Sequence, residues 1–295
     1  MRVTIAGASG FVGKNLIEKI SRNHSIKAIS RESKSSNIEN LKWIAADLYS
    51  LNSTIEALSD TDVAIYLVHS MMPSARLFQG NFEDTDILLA DNFARACKKN
   101  NVKQIIYLGG LVPEKNISKH LESRREVEDV LKHSDIPVTV LRAGMVVGDG
   151  GSSFEILKNL VLNLPAMVLP KWTQSTTQVI YIDDLISSIT KSIGDQDFFN
   201  KTLDVVNGES LTYEKLIRKT AEHFHKKKLL IPVPVNYTSF SKLWVKIFGE
   251  ADYELVAPLI DSLVCDLPTS IPDPLLEDCI KYTKYEDMLQ MIHRE

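Results

Sequence analysis

Apolar runs alternate with amphipathic stretches through the first half of the chain. Six of these runs have the length and apolar content of buried strands. They are Val3–Ala6, Ile26–Ser30, Leu41–Ala46, Val63–Val68, Gln104–Leu108 and Val138–Leu141. Between them, apolar residues recur at helical spacing in Asn15–Ser21, Asp84–Lys99 and Leu121–His133. Strands that alternate with helices predict parallel βαβ units, and therefore an α/β fold with a doubly wound parallel sheet.

A different pattern begins near Ser152, where prolines become frequent and the apolar pieces shorten. Three helical patterns remain there, near Asp184–Ile193, Tyr213–His225 and Phe240–Phe248. We therefore predict a doubly wound domain over residues 1–151, with its sheet completed by part of residues 175–210. Residues 152–295 are predicted to form mainly a smaller C-terminal lobe.

The first predicted strand runs directly into Gly7, Gly10 and Gly13, and a helical pattern follows. Gly7 permits a tight turn, Gly10 lets the backbone approach a phosphate, and Gly13 lets the helix pack close to the strand. The helix then directs its free N–H groups and its positive end at the anion. Residues 1–151 are thus predicted to be an NAD(P)-binding Rossmann domain. The cofactor contacts predicted in this loop are Gly7, Ala8, Ser9, Gly10, Phe11, Val12 and Gly13.

Composition and charge exclude several function classes. A net charge of −4 over 295 residues gives no electrostatic case for binding nucleic acid or an anionic membrane. No apolar run approaches the roughly 20 residues that span a bilayer, and the chain enters its nucleotide-binding strand without a signal-peptide pattern. Cys97, Cys265 and Cys279 lack the spacing of a disulfide framework or a metal site. We expect a cytoplasmic protein without a metal site, and membrane association is not favoured.

The end of the second predicted strand bears on the choice of dinucleotide. An NAD-specific protein usually has a carboxylate there, about 20 residues past the glycines, to accept the ribose 2′-hydroxyl. This chain has Ser30 and Arg31, and a guanidinium pairs well with a 2′-phosphate. These residues predict a preference for NADP(H) over NAD(H). The alternative is that Arg31 is a solvated loop residue and that Glu32 contacts the ribose.

The ends of the third and fourth predicted strands supply further candidates. Asp47 and Leu48 are placed to border the adenine ring. Asp47 could receive the adenine amino group, or it could cap the helix that begins near Leu51, and the two roles are compatible. Val68 and His69 follow the fourth strand, which in doubly wound folds ends under the middle of the cofactor. A lone histidine is more often structural than catalytic, but His69 lies at a ligand-facing end.

The fifth and sixth predicted strands lead to the nicotinamide side. The pair Gly109–Gly110 suggests close backbone approach, whereas Tyr107 is expected to point into the core because strand residues alternate faces. Further on, the spacing of four puts His120 and Arg124 on one helix face. The sixth strand ends near Ala143, another predicted cofactor contact. The glycine-rich stretch that follows, residues 147–151, either lines the nicotinamide end or acts as a lid hinge.

Together these features resemble the short-chain dehydrogenase/reductase superfamily in its extended and atypical branches. The matching motifs occur in order: Gly7–Gly13, Asp47-Leu48, Leu141–Ala143 and Tyr181–Asp184. A closer resemblance is to NmrA-like NAD(P)-binding proteins. It rests on Tyr66–Met71, Tyr107–Leu111, His120–Arg124, Leu164–Trp172 and Gly208–Tyr213. The NADPH-binding accessory subunit of respiratory complex I is more distantly similar. The resemblance covers nearly the whole chain and implies an NAD(P)-binding Rossmann fold.

The chain departs from the superfamily pattern at its catalytic residues. The resemblance implies a Tyr-x-x-x-Lys pair on the helix after the fifth strand, and here His120 and Arg124 stand at those positions. The usual Ser or Thr falls around Gly109–Gly110, which has no hydroxyl. Arg124 can still hydrogen-bond a ribose, and His120 could act as a general acid, with an ordinary pKa of about 6.5. The catalytic candidates are therefore His120, Arg124 and His69.

Two functions from different classes follow from this pattern. The first is an NADP(H)-dependent oxidoreductase acting on an unidentified small molecule. His120 or His69 would exchange the proton, with Tyr107 as a weaker candidate, and Trp172 and Gln178 would border the substrate. The alternative is a non-catalytic NAD(P)-binding redox sensor, or a regulatory or assembly protein acting on a protein partner. His120 and Arg124 would then be ribose or structural contacts only.

An apolar segment in the second half raises one further alternative. Residues 235–248 carry Tyr237, Phe240, Leu243, Trp244 and Phe248 at roughly helical spacing. Such a segment could dock on a membrane or on a partner, as in a protein of electron-transport assembly. Packing on the core of the lobe is the favoured interpretation.

Overall fold

The computed structural model describes residues 1–69, 82–113, 117–234, 262–277 and 280–292. The helix predicted at 240–248 and the apolar segment 235–248 lie outside these ranges, as does Cys279. No helix in the described ranges is both long enough and apolar enough to cross a lipid bilayer.

The described residues form thirteen strands, nine α-helices and two short 3-10 helices, Lys171–Gln174 and Gln196–Phe198. The strands are β1 (Arg2–Ala6), β2 (Ser25–Ser30), β3 (Leu41–Ala45), β4 (Val63–Tyr66), β5 (Gln104–Gly110), β6 (Val138–Ala143), β7 (Met145–Val147), β8 (Ala166–Leu169), β9 (Thr176–Thr177), β10 (Val179–Tyr181), β11 (Thr202–Asp204), β12 (Leu211–Thr212) and β13 (Leu229–Pro232). The helices are α1 (Phe11–Ile20), α2 (Leu51–Ala57), α3 (Phe82–Lys99), α4 (Lys119–Lys132), α5 (Ser152–Asn163), α6 (Ile182–Ser192), α7 (Tyr213–His223), α8 (Pro274–Glu277) and α9 (Tyr285–Met291).

Seven parallel strands form the central sheet, in the order β11-β6-β5-β4-β1-β2-β3. All six predicted strands are present, so the predicted doubly wound parallel sheet is confirmed. Strand order reverses direction beside β1, which pairs with β2 on one side and β4 on the other. Ligands of such sheets bind outside the carboxyl ends of the strands at this switch point. The seventh strand, β11, pairs with β6.

Helices cover both faces of the sheet because strand side chains alternate. Val3 and Ile5 of β1 pack with α1 and α6 in one apolar cluster. Ala6 of the same strand packs with α2, α3 and α4 in the other, which also contains the buried Cys97 and Tyr107. Tyr107 is fully buried, which confirms that its ring points into the core.

A third apolar cluster belongs to the second half of the chain. It is built from α5, β8, α7 and α9, with Phe154, Leu216 and Met288 fully buried at its centre. The helix α5 was not predicted from the sequence. The domain boundary placed after residue 151 stays a prediction.

The strand boundaries differ from the predicted ones at the carboxyl ends. β4 ends at Tyr66 rather than Val68, because its partner β1 ends at Ala6, which pairs with Tyr66. Leu67 still donates its backbone N–H to the Ala6 carbonyl oxygen, and its backbone lies against Gly7. Conversely, β5 continues to Gly110, because its last residues pair with the end of β6. Both differences fall at the edge where a cofactor would bind.

Candidate functional site

The glycine loop between β1 and α1 has the shape that close phosphate approach requires. Gly7 has φ +82°, and a Cβ on it would lie 2.8 Å from the carbonyl carbon of Leu67. A Cβ on Gly13 would lie 2.6 Å from the carbonyl oxygen of Gly7. Both positions therefore accept only glycine, as the motif predicts.

Gly10 has a different role from its two neighbours in the motif. It is exposed, and a Cβ on it would meet, among the described residues, only the Gly7 carbonyl oxygen, at 3.3 Å. It is the N-cap of α1 and has no side chain to occupy the first turn. The first N–H groups of α1 therefore face open space, as a bound pyrophosphate requires. Residues Gly7–Gly13 thus fit a dinucleotide.

The remaining loop residues take different positions. Ala8 is fully buried in the core and offers only its backbone to a ligand, whereas Ser9 is exposed. Phe11 and Val12 are half-buried and pack on the cluster that contains β1. The ring of Phe11 packs against the second glycine-rich stretch, residues 147–151. A Cβ on Gly148 would lie 2.9 Å from this ring, and a Cβ on Gly151 would lie 3.0 Å from it. Neither glycine lines the cavity described below. The two roles given for this stretch, lining the nicotinamide end or acting as a lid hinge, stay predictions.

Ser30 and Arg31 lie at the carboxyl end of β2. Arg31 and Glu32 are exposed, and the Ser30 hydroxyl donates to the Glu32 carbonyl oxygen. A second cation, Lys34, lies over the Trp43 ring, 5.1 Å from its centroid. The choice of Arg31 as the phosphate-binding residue stays a prediction.

The alternative role of Asp47 as a helix cap is wrong. Ser50 directly precedes α2 and accepts the backbone N–H of Ser53, so Ser50 is the cap. Asp47 instead accepts the N–H of Tyr49 at 3.2 Å, which is a local turn. Its loop is held from α3 by Asn92, whose side-chain amide donates to the Leu48 carbonyl oxygen at 2.9 Å. Asn92 was not singled out in the sequence.

Two histidines meet between β4 and α4. Nε2 of His69 lies 3.1 Å from Nδ1 of His120, and the ring centroids are 4.7 Å apart. Nδ1 of His69 lies 2.9 Å from Oδ2 of Asp86 on α3. The structure therefore brings together two of the predicted catalytic residues and adds a carboxylate that sequence reasoning missed.

Burial decides the charge state of this pair. It lowers the pKa of His69, although the hydrogen bond to Asp86 opposes the shift. Burial, together with the nearby His69 and Arg124, lowers the pKa of His120 to about 2. Both rings are neutral at pH 7 as a result.

Neutral rings fix the direction of the hydrogen bonds. An ionised Asp86 can only accept, so His69 donates through Nδ1 and accepts through Nε2. His120 then donates through Nδ1, which leaves Nε2 of His120 as its proton-accepting atom. The Ser123 hydroxyl donates to the same Asp86 oxygen at 3.3 Å and helps to hold it. The chain Asp86–His69–His120 can therefore accept a proton at one end.

Arg124 lies one helical turn from His120 and lines the same cavity. Its guanidinium donates to the Leu108 carbonyl oxygen and lies over the Tyr107 ring, 5.5 Å from the centroid. Tyr107 does not line the cavity, and its hydroxyl donates to the Arg124 carbonyl oxygen at 3.0 Å. Burial also raises the pKa of Tyr107 to about 12. The prediction of Tyr107 as a weaker proton donor is therefore wrong.

A cavity of about 310 Å³ opens beside His120. The carboxyl ends of β5 and β6 form one side of it, and Ala143 is among these residues. The N-terminal half of α4 contributes His120, Leu121 and Arg124. Residues from α5, β8 and α7 close the other side. This position, outside the carboxyl ends of parallel strands, is where such folds bind ligands.

The two residues expected to border a substrate from the second lobe have different positions. Trp172 lines the cavity, as expected. Gln178 is buried and does not line it, because its side-chain amide exchanges two hydrogen bonds of 2.8 Å with the backbone of Ser270. The prediction for Gln178 is therefore wrong.

The fold and the glycine loop define a dinucleotide-binding α/β protein. A family model described as NAD(P)H-binding matches residues 7–161, so the chain belongs to this NAD(P)H-binding family. The match starts at Gly7 and ends within α5. The cofactor class is therefore a nicotinamide dinucleotide, which is consistent with the resemblance to the short-chain dehydrogenase/reductase superfamily. The more specific NmrA-like resemblance stays a prediction.

One curated relative is the auxiliary protein GraX of Staphylococcus aureus (strain NCTC 8325 / PS 47). It is 32% identical over 111 residues, which are 37% of this chain and 36% of GraX. The match thus spans about a third of the length of that relative.

Solved structures with the same fold include sugar-nucleotide enzymes. A nucleoside-diphosphate-sugar epimerase from Staphylococcus aureus has a TM-score of 0.75 at 17% identity, over 98% of this chain and 100% of that one. Pal from Bacillus thuringiensis has a TM-score of 0.72 at 13% identity, over 98% and 97%. MoeE5 in complex with UDP-glucuronic acid and NAD has a TM-score of 0.70 at 15% identity, over 98% and 97%. At these identities the likeness shows the fold alone.

Proposed function

We propose that this protein is an NADP(H)-dependent oxidoreductase that acts on a small molecule, with His120 as the group that exchanges the proton. The observation that carries the proposal is the hydrogen-bonded chain Asp86–His69–His120, which ends at the cavity beside β5 and β6. Structural histidine pairs are common, but this pair lies at the ligand edge of a dinucleotide-binding sheet.

Each residue of the site has a distinct part in this chemistry. The bound nicotinamide supplies hydride in reduction and accepts it in oxidation. In alcohol oxidation, Nε2 of His120 takes the hydroxyl proton as the C–H bond of the same carbon breaks. In carbonyl reduction, the protonated ring returns that proton to the new alkoxide. His69 and Asp86 act through His120, because their hydrogen bonds hold its ring and fix which of its nitrogens accepts the proton. Arg124, which lines the same cavity, would bind the cofactor ribose.

The pKa shifts give the two directions different pH dependence. At neutral pH the histidine pair carries no extra proton, so it serves directly as a base for alcohol oxidation. Carbonyl reduction needs one proton from solvent on the pair, and the lowered pKa of His120 makes that proton scarce at pH 7. Reduction is therefore expected to become faster as pH falls from neutral.

A substrate panel tests the proposal. The purified protein is mixed with NADPH and, in turn, with ketones, aldehydes, quinones and imines, and the loss of NADPH absorbance is followed. We expect turnover with at least one of these classes. If NADPH binds but none of the classes causes its oxidation, the oxidoreductase proposal is rejected.

The choice of NADP(H) is tested at Arg31. Changing Arg31→Ala is expected to raise the Kd of NADPH by about 10-fold or more, the loss of a hydrogen-bonded charge pair, and to leave the Kd of NADH unchanged. Calorimetric titration with both cofactors measures the two constants. Arg22→Ala is the matched control, because Arg22 is exposed and precedes β2 at the opposite edge of the sheet. The assignment would be contradicted if Arg31→Ala weakened the binding of both cofactors equally, or if it changed the Kd of neither.

A second candidate function is a non-catalytic, NAD(P)-binding auxiliary or regulatory protein. The partial similarity to a relative named as an auxiliary protein supports it, as does the absence of the Tyr-x-x-x-Lys pair. Under this alternative, His120 and Arg124 hold the cofactor or the fold. Tight dinucleotide binding without turnover, together with captured partner proteins whose binding depends on NADPH, would favour this candidate.

A further inference from the structure

We propose that the cavity beside His120 binds an uncharged, mainly apolar molecule whose carbonyl or hydroxyl group lies at His120. The inference rests on the proposed function, because it assigns the substrate class of the same site. At about 310 Å³, the cavity lies at the small end of the range for small-molecule sites, which is about 300–1,000 Å³.

The lining of the cavity is apolar over most of its surface. Its apolar residues include Ile156 and Leu160 of α5, Met167 of β8, Ile217 of α7, and Trp172, which follows β8. Such a lining binds a ligand by removing its hydrocarbon or ring surface from water. The favourable free energy of binding grows with the apolar area that is buried. The body of the ligand is therefore expected to be hydrocarbon or aromatic.

Charge is almost absent from the same surface. Among the described residues that line the cavity, Arg124 is the one formally charged side chain, and there is no Asp, Glu or Lys. The guanidinium of Arg124 already donates to the Leu108 carbonyl oxygen at the end of β5. One cation engaged with the sheet cannot neutralise a multiply charged ligand.

Two of the hydroxyl groups on the wall have partners within the protein. The Thr173 hydroxyl donates to the Pro170 carbonyl oxygen at 2.8 Å, and Ser262 shares a 2.8 Å hydrogen bond with Ser118. Among the polar atoms of the wall, we assign Nε2 of His120 to the reacting group, because it ends the hydrogen-bonded chain from Asp86. A ligand with one carbonyl or hydroxyl satisfies it without burying a second unpaired polar group.

This lining argues against the ligands of the structural neighbours. MoeE5 is described with UDP-glucuronic acid, which carries a diphosphate and a carboxylate. Burying such charges without counter-charges is costly, and the described lining offers too few. The shared fold therefore does not bring the sugar-nucleotide substrate with it.

A chain-length series provides the test. The protein saturated with NADP⁺ is titrated by calorimetry with 2-butanone, 2-hexanone and 2-octanone, and separately with octanoate and UDP-glucose. Affinity for the ketones is expected to rise about fourfold per added methylene group until the cavity is filled. Octanoate is expected to bind at least about 10-fold more weakly than 2-octanone. A flat ketone series, or tighter binding of octanoate or UDP-glucose, overturns the inference.

Two variants on α5 place the effect in the cavity. Ile156→Gln is expected to weaken 2-octanone binding at least about 10-fold, because it puts an amide into the apolar wall, and to leave the Kd of NADPH unchanged. Leu162→Gln is the matched control, since Leu162 is half-buried on the same helix and does not line the cavity. Equal effects of both variants contradict the assignment.

The outcomes separate this inference from the proposed function. Ketones that bind with the expected slope, without any NADPH oxidation across the substrate panel, would support the binding inference and reject the oxidoreductase. NADPH oxidation with a charged substrate, together with a ketone series of constant affinity, would support the oxidoreductase and reject the binding inference.

Discussion

Replacing His120 with alanine is expected to lower kcat by about 100-fold or more, the usual loss when a positioned proton donor or acceptor is removed. The Kd of NADPH should stay within about twofold, because His120 binds His69 and faces the cavity rather than the glycine loop. Steady-state kinetics with the best substrate of the panel, together with cofactor calorimetry, measure both quantities. His133→Ala is the matched control, since His133 is exposed at the end of the same helix.

Asp86 provides the companion measurement, because it acts through the histidine pair rather than on the substrate. In Asp86→Asn the amide can donate to Nδ1 of His69, which moves the His69 proton to Nε2. His120 must then accept at Nδ1, and its Nε2 carries the proton instead of a lone pair. We expect kcat for alcohol oxidation to fall at least about 10-fold and its pH profile to shift. Asp91→Asn on the exposed side of α3 should have no effect.

These results also decide between the two candidate functions. Unchanged turnover in His120→Ala would remove His120 from the chemistry and return it to a ribose or structural contact. A loss of NADPH binding in the same variant, without a kinetic effect beyond it, would point to the same conclusion. The large drop in kcat at constant Kd is expected only if His120 exchanges a proton in the rate-limiting chemistry.

The fold could be predicted from the sequence because its signals are local. Parallel strands buried on both faces appear as short apolar runs, and β1, β4 and β5 all have this form. The glycine loop is also a local signal. A Cβ on any of its three glycines would approach backbone atoms of the loop itself or of the neighbouring residue Leu67. Strand ends could be placed only approximately, because pairing with the neighbouring strand decides where a strand stops.

The catalytic arrangement could be predicted only in part, because its contacts are not local. His69 and His120 could each be placed at the ligand edge, but 51 residues separate them and no sequence pattern records their contact. Asp86 lies in the first half of an amphipathic helix. An acidic residue there is ordinarily solvated and interacts favourably with the positive end of the helix dipole. It is buried because His69 and Ser123 converge on it. The capping error at Asp47 arose differently, since Ser50 is an equally good cap and stands next to the helix.

Gly10 is the position where cofactor binding can be lost while the fold is kept. Its backbone, at φ −74° and ψ 175°, is open to any residue, and a Cβ meets one carbonyl oxygen at 3.3 Å. In Gly10→Val the side chain would instead fill the space over the first turn of α1. We expect the Kd of NADPH to rise about 100-fold, the loss of one or two charge-assisted hydrogen bonds to phosphate, with Tm within about 3 °C of the wild type.

Two further variants make the Gly10 result specific. Lys19→Val introduces the same side chain at an exposed position of α1 and should leave the Kd of NADPH unchanged. Gly7→Ala should lower the free energy of unfolding by about 1 kcal/mol or more, because φ +82° is unfavourable for alanine and its Cβ would collide with Leu67. Calorimetry and thermal denaturation separate the two kinds of loss. Wild-type NADPH affinity in Gly10→Val would show that the dinucleotide binds elsewhere, and both the oxidoreductase and the regulatory alternative would lose their common basis.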